Sequence, residues 1–192
     1  MIKADILLKN ILNIEPNNFI ALNIFGILQI IQNKHESAIA YFDSTINLKP
    51  DYFEAWYNKG NALQDLKRYD EAINHYEITL SIDDPTAFAL LRIGECHLKL
   101  RNDELGIKFL KKAIHEDPLL DKSWLALCGH YIRNKSYAKV LHYIKKAIKI
   151  SQKQLLGIQD LSISDVNYIL SEAKQFISLN KSKNRIQHNE IR

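Results

Sequence analysis

The chain has 192 residues, of which 46% are hydrophobic and 25% charged, a balance typical of a folded globular protein rather than a disordered one. Its net charge is +4, and because the basic residues do not line one predicted face, we expect no nucleic-acid partner. Two cysteines are too few for a disulfide framework. No apolar run approaches the roughly 20 residues that span a bilayer, and no signal peptide is recognisable, so we expect a cytoplasmic protein.

A period of 34 residues organises the chain. Gly26, Gly60 and Gly94 are spaced by this interval, and the same interval separates Pro16 from Pro50. Two helices can cross closely only where one side chain is small, because glycine there admits a bulky residue of the neighbouring helix. Proline marks the end of a helix because it cannot continue one. The period therefore predicts a series of helix pairs.

The predicted elements follow this period from the N-terminus. A single helix over residues 3–15 makes residues 1–18 a half-repeat, which is either an N-terminal capping helix or the remainder of a longer array. Four helix pairs follow, and Pro85 lies one residue later than their register predicts. The pairs occupy residues 19–52, 53–86, 87–120 and 121–152.

The C-terminal part departs from the period. Residues 153–180 are predicted to form a connector and a C-terminal capping helix, which covers the last repeat. The polar and basic residues 181–192 are predicted to be a disordered tail. The abundance of Ile, Lys and Asn is typical of AT-rich, often bacterial, genomes.

The second segment shows the residue pattern most fully. It carries an aromatic, a small and a bulky residue in its first helix and a further small–aromatic–small series in its second: Trp56, Gly60, Leu63, Ala72, Tyr76 and Thr79. Over residues 19–152 the chain resembles the tetratricopeptide-repeat (TPR) family. The resemblance implies an all-α fold, a right-handed α-α superhelical solenoid of TPR helix pairs, in which the first helices line a concave groove.

The resemblance also implies where a partner would bind. In the family, certain positions of each first helix usually point into the groove. Here they give a predicted partner-binding face of Asn23, Ile24, Ile27, Tyr57, Asn58, Asn61, Phe88, Leu91, Arg92, Glu95, Lys122 and Leu125.

Two kinds of contact are expected on this face. Asn58, Asn61 and Arg92 offer hydrogen-bond donors to the backbone of an extended peptide. An apolar floor for hydrophobic anchors is expected from the flanking Ile24, Ile27, Phe88, Leu91 and Leu125. Ile30 and Ile31 are interpreted as core residues.

Nothing in the sequence predicts catalysis, a cofactor or a metal. Phosphate-binding glycine loops and nucleophile elbows are absent from the sequence. The spacing of Cys96, His97, Cys128 and His130 matches no zinc signature, and both cysteines are interpreted as buried packing residues. The chain is therefore not expected to be an enzyme.

Three functions remain open. The first is an adaptor or scaffold that binds a peptide or helix of a partner protein in the groove. The clamp with which some TPR domains hold acidic C-termini is matched only at Asn58 and Arg92, so a chaperone tail is not the expected ligand. The second is a scaffold that self-associates through its terminal helices, for example as a homodimer. The third is a regulatory segment of a larger enzyme or assembly.

Overall fold

The computed structural model describes residues 2–82 and 86–154, with the backbone alone for residues 2–5, 149 and 151–154. All regular secondary structure within these ranges is α-helical, as the sequence predicted. The helices are α1 (Ile2–Ile14), α2 (Phe19–Ile31), α3 (His35–Leu48), α4 (Phe53–Asp65), α5 (Tyr69–Ile82), α6 (Ala87–Lys99), α7 (Asp103–Glu116), α8 (Asp121–Arg133) and α9 (Tyr137–Gln154).

The turn between the two helices of a pair is built in the same way four times. Two residues after the end of each first helix, a residue other than glycine adopts a left-handed conformation, with φ between 53° and 65°: Asn33, Lys67, Arg101 and Lys135. The next backbone N–H donates to a carbonyl five residues earlier, as from Lys34 to Gln29 at 2.8 Å. This bond satisfies a carbonyl that the helix end would leave without a partner. The period of 34 is thus a property of the backbone as well as of the sequence.

The helices of a pair cross at the periodic glycines. A Cβ atom at Gly60 would lie 2.6 Å from the ring of Tyr76, and one at Gly26 would lie 2.5 Å from the ring of Phe42. Both rings are fully buried. The explanation of the glycine spacing by close helix crossing is therefore confirmed.

Helices α1 to α7 belong to one compact unit, Met1–Asp117. Its core continues from one helix to the next: Leu8 of α1 clusters with Phe25 of α2, and Phe42 of α3 clusters with Ala62 of α4. Further along, Tyr76 of α5 belongs to a cluster that includes Ile93 and Cys96 of α6. The second helices α3 and α5 are therefore each packed between two first helices.

One position of this core departs from the pattern. The equivalent residues Phe25, Ile93 and Leu127 are buried and apolar, but α4 carries Lys59 there. Lys59 Nζ lies 2.6 Å from Oδ1 of Asp43 on α3, and its side chain is only 17% exposed. An ion pair thus takes part in joining the first helix pair to the second.

Helices α8 and α9 belong to a second unit, Pro118–Arg192. The rings of Tyr131 and Tyr143 stack with centroids 5.5 Å apart and planes 7° from parallel. Nε1 of Trp124 donates to the carbonyl of Pro118 at 2.9 Å, as Trp56 does to Pro50 at 2.8 Å in the first unit. The tryptophans at this position therefore fix the chain segment that enters the first helix.

The structure corrects one sequence-based interpretation of the isoleucines on α2. Ile31 is 59% exposed and is not a core residue, whereas Ile30 packs against the cluster of Phe42 and Ala62. Neighbouring residues of a helix point about 100° apart, so only one of the two can face the core. On α9, Lys139, His142 and Lys146 follow one another at helical spacing and are exposed.

The ends are only partly described. Helix α1 matches the predicted single N-terminal helix, and α9 continues to Gln154, two residues past the predicted end of the fourth pair. The remainder of the predicted connector and capping helix, the tail over residues 181–192 and Pro85 lie outside the described residues.

We expect Gly60→Ala to destabilise the protein. The new methyl group would overlap the buried ring of Tyr76, and overpacking of this kind costs about 1–3 kcal/mol, more than the roughly 1 kcal/mol that alanine gains over glycine within a helix. Urea unfolding followed by circular dichroism measures the change.

Gly129→Ala is the matched control. A Cβ atom at Gly129 would meet only the guanidinium of Arg133, at 3.7 Å, so this variant should be as stable as the wild type or up to about 1 kcal/mol more stable. Equal effects of the two substitutions would contradict the crossing role of Gly60.

His75 is a titratable residue of α5 that packs against α4, the first helix of the same pair. It occupies the position of Tyr41, which packs on Phe25 with ring centroids 4.7 Å apart, and it packs on Trp56 at 5.5 Å. Burial lowers the pKa of His75, and the nearby charge of Lys59 lowers it further. The folded protein therefore favours the neutral imidazole.

The free energy of unfolding should consequently fall as the pH drops below about 6.5, the ordinary pKa of histidine, because the unfolded chain binds a proton at His75 that the folded chain resists. His75→Phe should reduce this loss, since phenylalanine does not titrate and Phe109 occupies the equivalent position of the third pair. Urea unfolding of the wild type and of the variant at pH 7.5 and pH 5.5 tests this expectation. An unchanged pH dependence in the variant would rule out His75 as the cause.

Candidate interaction surface

The predicted partner-binding residues fall on both units. Ten of them lie on α2, α4 and α6 of the first unit, and we call the accessible side chains of these three helices the first-helix face. Ile24 and Phe88 are exposed there, by 42% and 51%. The half-buried members of the predicted set are Ile27, Tyr57, Asn58, Asn61, Arg92 and Glu95.

Two predicted contact residues are buried. Asn23 is 4% exposed and Leu91 is 1% exposed, so the expectation that Leu91 forms part of an apolar floor, and that Asn23 faces a partner, is wrong. The helix position that these two residues share faces neighbouring helices rather than solvent. At the same position, Tyr57 hydrogen-bonds Arg92 of the next first helix.

Hydrogen bonds connect consecutive first helices at a spacing of 35 residues. Nδ2 of Asn58 donates to Oδ1 of Asn23 at 3.2 Å, and Arg92 bonds to Tyr57. Tyr52 also hydrogen-bonds Asn23. Asn58 and Arg92 are therefore held in fixed orientations by the preceding helix, and each retains further donors on the first-helix face.

A buried hydroxyl orients two more amides. The oxygen of Tyr76 lies 2.9 Å from Oδ1 of Asn61 and 2.8 Å from Oε1 of Gln64, and its single hydrogen is donated to one of them at a time. Burial raises the pKa of Tyr76, so the hydroxyl stays protonated. The sequence did not indicate this role, because Tyr76 matched a packing position.

Charge on the face is locally balanced. Burial alone would lower the pKa of Arg92, but its hydrogen bond to Tyr57 and the neighbouring Glu95 raise it, so the guanidinium remains charged. It lies 3.0 Å from Oε2 of Glu95. The positive charge is therefore already compensated within the face.

The three helices differ in character at equivalent positions. On α2 one stripe is made only of isoleucines, and the equivalent residues of α4 are all polar. The stripe on α2 is Ile20, Ile24, Ile27 and Ile31, and its counterpart on α4 is Glu54, Asn58, Asn61 and Asp65. The face thus changes from aliphatic to polar within one repeat, and Phe88 of α6 adds an aromatic group beyond the polar part.

Lys122 and Leu125 lie on α8 in the second unit. Leu125 is 47% exposed and Ile132, two turns further along, is 38% exposed. Lys122 is also exposed. The accessible side of α8 therefore offers aliphatic groups beside a positive charge.

The nucleophilic and metal-binding side chains form no reactive site in the described ranges. Cys96 and Cys128 are free and buried, and burial raises the pKa of their thiols to about 12 and about 11. Protonated buried thiols are poor nucleophiles. Residues 2–82 and 86–154 contain no group of three or more His, Cys, Asp and Glu side chains arranged to hold a metal ion.

Comparison with known proteins identifies the repeat. Two family models described as tetratricopeptide repeat match residues 53–84 and 88–119. Uncharacterized protein RP472 of Rickettsia prowazekii is 27% identical over 185 residues, 88% of this chain and 54% of that protein. A 42-residue stretch is 79% identical to the aspartate carbamoyltransferase catalytic subunit of Pelagibacter ubique, covering 22% of this chain and 13% of that protein. The chain thus spans about half, or less, of the length of these relatives.

Solved structures share the fold. MamA from Desulfovibrio magneticus RS-1 superimposes with a TM-score of 0.67 at 25% identity, covering 77% of this chain and 83% of that one. YrrB, described as a TPR protein with an unusual peptide-binding site, superimposes with a TM-score of 0.63 at 17% identity. The match covers 89% of this chain and 84% of that one. In the part of the chain that the structure describes, no helix is both long and apolar enough to cross a membrane. With its 34-residue helix pairs, its matches to the repeat models and these structural neighbours, the described part of the chain is an all-α fold that contains tetratricopeptide repeats at residues 53–84 and 88–119.

Proposed function

We propose that the first-helix face of the first unit binds an uncharged, partly apolar peptide or helix of a partner protein. Tetratricopeptide repeats serve in general as protein-interaction scaffolds, and the proposal assigns the contact to α2, α4 and α6. The observation that carries it is the set of anchored polar side chains on α4 and α6 next to the exposed Phe88. In this proposal the chain holds a partner and catalyses no reaction.

The anchored amides supply the polar part of the contact. Asn58 is fixed by Asn23, and Asn61 and Gln64 lie at the hydroxyl of Tyr76. Side chains that are already ordered lose little conformational entropy when a ligand binds. They present donors and acceptors suited to the backbone of a peptide.

Exposed apolar groups on either side supply the anchors. Phe88 is 51% exposed on α6, and Ile24 is 42% exposed on α2. An aromatic residue surrounded by polar neighbours is a typical centre of binding energy in an interface. A ligand that spans the polar stretch of α4 would therefore place apolar side chains near both ends.

The charge of the face favours a neutral ligand over an acidic one. The guanidinium of Arg92 is engaged by Glu95 and Tyr57, and α4 contributes Glu54 and Asp65. An acidic peptide would have to compete with carboxylates that are already present. Binding should therefore change little with ionic strength, since screening acts on charge–charge contacts.

A peptide library displayed on phage tests the proposal. Peptides selected on the wild-type chain should be enriched in apolar residues, and fluorescence anisotropy should show that Phe88→Ser lowers their affinity about tenfold or more. Asn58→Ala should weaken binding less, because a single hydrogen bond contributes about 1 kcal/mol.

Leu105→Ser is the matched control, because Leu105 is 43% exposed but lies on α7, outside the first-helix face. Its affinity should equal that of the wild type. Peptides rich in acidic residues, or equal losses at Phe88 and Leu105, would overturn the proposal.

A further inference from the structure

Charge is divided unequally between the two units. Residues 1–117 contain 13 Lys and Arg and 17 Asp and Glu residues, a net charge of −4, whereas residues 118–192 contain 13 and 5, a net charge of +8. Within the second unit, residues 122–159 contain eight Lys and Arg residues and not one Asp or Glu. Helix α9 lies in this stretch, so no acidic residue of its own offsets its charge.

Basic residues follow one side of α9. Lys139, His142 and Lys146 are separated by three and four residues, and all three are exposed. This spacing places successive side chains of an α-helix about 5 Å apart along one side. We call these three residues the basic stripe. The sequence continues the same spacing with Lys149 and Lys153.

The basic stripe opposes the local stability of α9. Lys139 lies in the first turn, where the helix dipole favours acidic side chains, and it occupies the position of Glu71 on α5. The second helices α3, α5 and α7 all have acidic residues in their first turns, whereas α9 has none. Like charges three or four residues apart also repel each other. A residue choice that opposes local stability is expected at functional sites.

Other parts of this chain do not match the stripe. Residues 155–192 contain five basic and four acidic residues, a net charge of +1. A second copy offers no row of acidic residues at the equivalent positions of α3, α5 and α7. These positions carry Ser37, Ala40 and Ser44; Glu71, Asn74 and Ile78; and Leu105, Lys108 and Lys112. The counterpart of the stripe is therefore expected in another molecule.

The groups on and beside the stripe favour carboxylates over nucleic acid. Seven of the eight basic residues in 122–159 are lysines, whereas arginine is the residue that pairs with phosphate in a bidentate manner. Tyr137 and Tyr143 of α9 are half-buried. Among the described residues of this helix, no aromatic ring is exposed for stacking on bases.

The apolar side of α9 is already used for packing. Val140 is fully buried and Ile144 is 7% exposed. None of the large apolar side chains described for this helix is exposed. A helix that lies on a membrane inserts apolar side chains next to its basic ones. The stripe is therefore suited to a partner that meets α9 through charge and without insertion.

We propose that the basic stripe of α9 binds an acidic helix of a partner protein. Carboxylates that recur every three or four residues on such a helix have the same spacing as Lys139, His142 and Lys146, so each basic group can face an acidic one. This contact lies in the second unit and does not involve the first-helix face, to which the proposed function assigns an uncharged ligand. The two surfaces therefore differ in their response to salt.

Two synthetic helical peptides of identical composition test the proposal on the full chain. Each has about 20 residues; in the first, glutamates recur every three or four residues along one side, and in the second they are spread around the helix. Fluorescence anisotropy should show that the wild type binds the first peptide at least tenfold more tightly. Raising the salt concentration from about 0.05 M to about 0.5 M should remove most of this binding, because salt screens charge–charge contacts.

Lys139→Gln/Lys146→Gln should weaken binding of the first peptide at least tenfold. Both side chains are exposed, so the variant should keep the helical circular dichroism spectrum of the wild type. Lys34→Gln/Lys67→Gln is the matched control, because it removes two exposed lysines of the first unit, and it should bind like the wild type. Equal binding of the two peptides, or equal losses in the two double variants, would overturn the proposal.

Duplex DNA and vesicles that contain anionic lipid are the competing probes. Tighter binding of either one than of the first peptide, at about 0.15 M salt, would also overturn the proposal and would assign the stripe to nucleic acid or to a membrane surface. Lys139→Gln/Lys146→Gln should leave the binding of apolar peptides unchanged, and Phe88→Ser should leave that of the acidic peptide unchanged. Failure of this proposal is thereby distinguished from failure of the proposed function.

Discussion

The close crossing of paired helices is the constraint on which the rest of the structure depends. At Gly60 there is no room for even a methyl group, because the ring of Tyr76 fills the space that a Cβ atom would need. That contact brings the hydroxyl of Tyr76 within reach of Asn61 and Gln64. The same residue thus closes the core on one side and orders polar groups on the other. Core packing and the orientation of accessible amides are linked through one side chain.

The first unit also shows how a repeated backbone carries unequal surfaces. Each pair uses the same left-handed turn and the same crossing, yet α2 presents isoleucines where α4 presents amides and carboxylates. Core positions are restricted by volume, whereas the accessible positions of the first helices are not. The fold therefore fixes the backbone of the accessible faces, and the variable positions set the chemistry of each face.

The sequence was sufficient for the helices because their determinants are local and periodic. Glycine spacing and the aromatic positions predicted the pairs, and Ile24 and Phe88 were correctly expected to be accessible. It was insufficient at Asn23, Leu91 and Ile31, where burial depends on which neighbouring helix a side chain meets. A residue pattern gives a helix face to within one position, and neighbouring positions differ by about 100°.

The ion pair between Lys59 and Asp43 has a consequence for how the first unit comes apart. In a repeat protein, stability is approximately a sum over neighbouring repeats and the junctions between them. At the position where the other repeats place Phe25, Ile93 and Leu127, this junction relies partly on charge. Its strength therefore varies with salt, while purely apolar junctions are not screened in this way. Local opening at the boundary between the first and second helix pairs is therefore expected to depend on salt concentration.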